Sequence, residues 1–149
     1  MNRENIEYTI ELLRNAQNFN IEVFQHNRHG NTVVTSIEEL HTCGNTACIA
    51  GYVALSPRWK ELGGIVNQWG EPITLEKSDE EEFFPEATVA MSKFWGLSLG
   101  TTDSIIYGDA FWRFVEHQGI TGMPERWTEM TKEEAVKIFE HLLEHGEVE

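Results

Sequence analysis

The sequence predicts a mainly α fold with a minor β part (α+β). It is one compact helical domain over residues 1–149, with a central buried helix and a small β-hairpin. Three observations lead there. Apolar side chains recur at helical spacing near both ends of the chain. The segment 46–55 is small or apolar around nearly its whole circumference, which a helix tolerates only when buried. One pair of short β-branched runs brackets a glycine turn near position 70.

Each element has a local reason. Ile6, Ile10, Leu13 and Ala16 or Gln17 share a face, predicting a helix over 3–17 with Asn2 as N-cap. Phe19, Ile21 and Val23 alternate, as in a short strand or extended link into the loop around Gly30, and 32–34 reads as a second short strand. Ser36 and Glu39 have capping-box spacing before a brief helix. The next helix, 46–55, is capped by Asn45 after Gly44. It stops at Ser56-Pro57, because the residue before proline resists helical geometry.

Ile65, Val66, Ile73 and Leu75 flank a Trp69-Gly70-Glu71 turn, which predicts the hairpin. Pro85, placed in the first turn, opens a helix whose Val89, Ala90, Phe94 and Trp95 face inward until Gly96 ends it. Short helices over 101–107 and 110–117 surround Gly108, and 119–127 is loop. Thr131 with Glu134 is a second capping box. It opens a helix with Ala135, Ile138, Phe139 and Leu142 on one stripe and Gly146 at its end.

Composition bounds what such a domain can do. Its 149 residues are 40% apolar, with five Trp and eight Phe, enough to bury a core without staples. The 25 acids against 11 Lys and Arg leave a formal charge of −14. That balance argues against unassisted binding of nucleic acid, whose phosphates must be neutralised by cations. It suits a basic protein partner, or imitation of a polyanion. Two cysteines are too few for a disulfide framework, no apolar run reaches membrane-spanning length, and MNRENIEYTIELLRN is charged throughout. These features predict a cytoplasmic protein with reduced thiols and no membrane attachment.

The densest motif is HTCGNTACIAGY at 41–52. As a helix entrance, Gly44 turns the chain and Asn45 caps. Ala47, Ala50, Gly51 and Ala54 form a small-residue face, and Cys48 serves as a small hydrophobe. As a thiol site, Cys48 would lie in the first helical turn with His41 or His26 as base, but no acid is placed to orient it. As a metal site, His26, His29, His41, Cys43 and Cys48 fall within 23 residues, at spacings that match no common zinc finger.

HLLEH at 141–145 fits an inverted zinc-protease pattern, yet only four residues follow it, and histidines suit a helix C-terminus in any case. No phosphate loop, nucleophile elbow or EF-hand pattern is present, so no catalytic residue, metal ligand or cofactor is assigned. The partner-binding candidates are the consecutive acids Asp79, Glu80, Glu81 and Glu82, together with Trp69 at the hairpin tip.

The run CGNTACIAGYVAL at 43–55 resembles a loose group of small phage and bacterial proteins carrying a CGTxxCIAGxA-like segment. KFWGLSLGTTDSIIYGDAFW at 93–112 and WTEMTKEEAVKIFEHLL at 127–143 are similar to later stretches of that group. Asn45 stands where the pattern has Thr, and both residues cap helices well. The resemblance implies a small cytoplasmic protein of phage type and brings no activity with it.

The function expected is that of a non-enzymatic acidic accessory protein. It would bind a host or phage protein and inhibit a nucleic-acid-handling or defence system. The alternative is a small metal- or thiol-dependent protein centred on His41, Cys43 and Cys48.

Overall fold

The computed structural model of the chain describes residues 1–22, 36–40, 47–68, 70–73 and 83–148. Helix α1, Arg3–Arg14, starts where Asn2 accepts a hydrogen bond from the Asn5 backbone N–H through its side chain. It buries Ile6, Ile10 and Leu13 as predicted, and Asn5 and Thr9 with them. The stripe of the last helix, α8 (Lys132–His145), consists of Ala135, Ile138, Phe139 and Leu142, all fully buried. Among the described residues, the α1–α8 pair makes the largest helix–helix contact. Both halves of the predicted Thr131–Glu134 capping box are formed at the entrance to α8.

Helix α2, Ile37–Leu40, is the brief helix expected after Ser36. The strand reading of 32–34 lies outside the described residues, as does the Glu39 side chain. Helix α3, Ile49–Leu55, is the predicted central helix, and every one of its residues is buried. Its start differs from the expected one. Cys48, in extended geometry, occupies the N-cap position, and Ala47 pairs with Phe19 in a parallel bridge. The Ala47 N–H donates to the Asn18 carbonyl and the Asn20 N–H to the Ala47 carbonyl. A residue committed to that bridge cannot also enter a helix, so the helical geometry expected at 47 and 48 is absent. The extended link expected at Phe19 is half of the same bridge.

Ser56 ends α3 and also begins α4, Pro57–Glu61, by accepting from the Trp59 N–H. Proline at the first helical position needs no backbone donor. Pro57 therefore starts a helix here as well as stopping one, a role the sequence reading did not give it. Strands β1, Ile65–Val66, and β2, Pro72–Ile73, form the predicted hairpin, with Ile65 opposite Ile73. Asn67 clamps its turn: the Asn67 N–H donates to the Glu71 carbonyl, and the Glu71 N–H to the Asn67 side chain.

Helix α5, Glu86–Trp95, has Pro85 at its N-cap, one position before the place expected for it. Gly96 ends it in the left-handed region at φ 66°, and a Cβ there would meet the Asn2 nitrogen at 2.7 Å. The chain end lies against this glycine because the Asn2 N–H donates to the Trp95 carbonyl. Helices α6, Leu99–Tyr107, and α7, Phe111–Gln118, flank Gly108 as expected, and a single 3-10 turn, Trp127–Glu129, precedes α8.

Trp95 sits at the centre, its ring 4.9 Å from that of Phe139. Its indole N–H donates to the Thr9 hydroxyl at 2.9 Å, which in turn donates to the Asn5 carbonyl at 2.8 Å. Buried polar groups are satisfied in this way or they destabilise the fold.

Candidate functional site

Of the thiol candidates, only Cys48 is among the described residues. It is almost fully buried in the main core. Desolvation pushes its thiol from 9.0 up to about 11, although the Gly51 and Ala50 backbone N–H groups pull the other way. A nucleophilic cysteine needs the opposite shift, toward thiolate at neutral pH. At the N-cap of α3 the thiol still meets these N–H groups, and burial outweighs them. His26, His29, His41 and Cys43 lie outside the described residues.

His141 of the HLLEH match donates through Nε2 to the Gln118 carbonyl at 2.7 Å, a bond that ties α8 to the end of α7. His145 stacks 4.5 Å away from it. Among the described residues no three His, Cys, Asp or Glu side chains converge on a metal-sized point. No described helix is long and apolar enough to cross a membrane.

The partner-binding candidates Asp79, Glu80, Glu81, Glu82 and Trp69 also lie outside the described residues. Their immediate neighbour does not. Phe83 follows directly on Glu82 and is 90% exposed at the approach to α5. A second exposed aromatic is Trp112 on α7, 48% accessible, with its indole N–H donating to the Glu125 carbonyl. Trp59 and Trp95 are core, while Trp112 faces outward.

The charges are arranged unevenly. Several of the scarce cations bridge α1 and α8 at the surface. Arg14 pairs with Glu140, Arg3 reaches the Leu143 carbonyl, and Lys132 donates to the Arg14 and Ala16 carbonyls. Glu116 on α7, Glu125, Glu129, and Glu133 on α8 are exposed acids.

A different arrangement occurs where α1, α4, α5 and the hairpin meet. They leave a cavity of about 590 Å³, walled by Trp59, Phe94, Ile65 and Ile73 and rimmed by Arg58 and Lys93. Asn5, only 3% exposed, organises it. Its amide nitrogen donates to the Phe94 carbonyl at 2.7 Å, and its amide oxygen accepts from Arg58 Nε. Arg58 also pairs with Glu4 at 3.2 Å, and its guanidinium lies 5.8 Å from the Tyr8 ring centre.

The Trp59 wall is equally fixed. Its indole N–H donates to the Ile65 carbonyl, and its ring meets Phe94 edge-on at 5.8 Å. Gly64 lies so close to the indole that a Cβ would sit 2.2 Å from it. Sequence reasoning did not find this cavity. Its residues come from four separated elements and share no local pattern.

No protein-family model, curated protein or solved structure matches the chain. The chemistry of its own side chains is what bears on function.

Proposed function

We propose that this chain is a non-catalytic acidic accessory protein of phage type, acting in the cytoplasm by binding a basic protein partner. The partner class is a nucleic-acid-handling or defence protein, whose phosphate-binding surface an acidic chain can occupy. The contact segment is Asp79, Glu80, Glu81 and Glu82 followed by Phe83, with Trp69 as a second anchor. The observation that carries this reading is the exposure of Phe83 beside four consecutive carboxylates. A lone exposed aromatic is ordinary on a protein surface. Joined to a charge run it supplies the two parts of a strong contact: acids that steer the encounter, and an aromatic that fills a pocket at its centre.

The charge of −14 supports the choice of a basic partner. The buried, protonated thiol of Cys48 speaks against the thiol-dependent alternative. The test is capture from host cells with the wild-type chain, a variant with lysine at all four acidic positions, and Phe83→Ser. The same partner should be lost from both variants. Equal capture by all three chains would refute the placement.

A further inference from the structure

We propose that the cavity between α1, α4, α5 and the hairpin is a binding site for a small organic anion with an aromatic or apolar body, of the arylcarboxylate class. The proposal is independent of the acidic contact segment. Its volume, about 590 Å³, falls inside the roughly 300–1,000 Å³ range of small-molecule sites. Charge sets it apart from the rest of the molecule. In a chain with 25 acids and 11 Lys and Arg, the described residues lining this cavity include two cations and no carboxylate.

Arg58 is held before any ligand arrives by the Asn5 amide oxygen at Nε and by the Tyr8 ring. A guanidinium fixed in this way has already lost its rotamer freedom in folding, so binding does not cost that entropy again. Its planar fork suits a carboxylate, and Lys93 adds a second positive charge at the same rim. Glu4, 84% exposed, is the resident partner that an incoming carboxylate would displace. The apolar part of the ligand lies against the side of Trp59 that faces the cavity, the ring being held there by close packing on Gly64, and against Ile65, Ile73 and Phe94.

The experiment is an NMR titration of the isotope-labelled chain with benzoate, 3-phenylpropionate and indole-3-acetate. The neutral 3-phenylpropionamide serves as control. Shifts are read at the Trp59 indole N–H and at the Gly63 and Gly64 amides. At least one carboxylate should saturate these signals, with the propionate binding about tenfold tighter than its amide.

Lys93→Gln, an exposed change on α5 that leaves the core untouched, should weaken the carboxylate by about fivefold and leave the amide as it was. Arg58→Lys should weaken it too, by removing the fork while keeping the charge. Equal affinity for acid and amide, shifts centred elsewhere, or no saturation with any of the three acids would overturn the proposal.

Discussion

Thr9→Val removes one oxygen from the centre of the molecule and changes its shape very little. Thr9 is fully buried on α1, and its hydroxyl stands between the Trp95 indole N–H and the Asn5 carbonyl. Valine is branched at the same atom, so helix propensity and packing volume are nearly conserved. The Asn5 carbonyl keeps its place in the helical ladder of α1. The Trp95 N–H does not have a substitute, and it is left unpaired in the core.

An unsatisfied buried donor costs about 1–3 kcal/mol, so a loss near 2 kcal/mol is expected. For a chain of this size that lowers the unfolding midpoint by about 5 °C. The assay is urea unfolding followed by far-UV circular dichroism, with midpoints compared at constant slope. Repeating it in a Trp95→Phe background isolates the bond: with no indole donor, Thr9→Val should cost under about 0.5 kcal/mol. A neutral Thr9→Val in the wild-type chain, or the same loss in both backgrounds, would show that the Trp95–Thr9–Asn5 relay does not hold the α1–α5 contact.

Further expectations follow from single residues. With Cys43 replaced by serine, Cys48 should react with a disulfide reagent at pH 8 about a hundredfold more slowly than an ordinary thiol, because its ionisation lies near 11 and not 9.0; fast labelling of the folded chain would contradict its burial. The same shift makes stability pH-dependent. Between pH 9 and 11 the unfolded chain loses the thiol proton while the folded chain keeps it, so unfolding free energy should fall as pH rises through that window. Tyr52, also raised by burial, acts in the same direction, and Cys48→Ala should flatten the decline. Ala110 enters α7 with φ 50° and ψ 34°, a left-handed conformation costing about 1 kcal/mol for a side chain with a Cβ. Ala110→Gly should therefore leave the urea midpoint unchanged or higher, and a loss near 1 kcal/mol, the usual cost of glycine within a helix, would refute that geometry.

Helix ends were readable because their signals are local. Asn2, the Thr131–Glu134 pair, Gly96 and Gly108 each act within one turn of the residues they terminate. The start of α3 was not, because Ala47 is held extended by Phe19, far away in sequence. Helix α4 was within reach, since Ser-Pro marks a helix start as well as a stop, and Ser56 does both. The outward position of Trp112 was also legible: Phe111, Phe114, Val115 and Gln118 share the buried face of α7, and Trp112 falls off it. The exposed Phe83 could have been suspected only from its place beside the acids. The cavity was invisible for a different reason. Asn5, Arg58 and Lys93 meet only after three helices have packed, and nothing in any one segment announces the others.

Affinity for the captured partner, measured across a range of salt concentrations, addresses the binding role most directly. Three chains are compared: wild type, Phe83→Ser, and one with Asn or Gln in place of Asp79, Glu80, Glu81 and Glu82. The wild type should bind tightly at low salt and weaken as salt screens the acids. The neutral chain should bind at least about tenfold more weakly at low salt and lose most of that salt dependence. Phe83→Ser should weaken binding by a similar factor at every salt concentration, because its contact is apolar. Unchanged affinity and an unchanged salt slope in the neutral chain would contradict the acidic contact altogether.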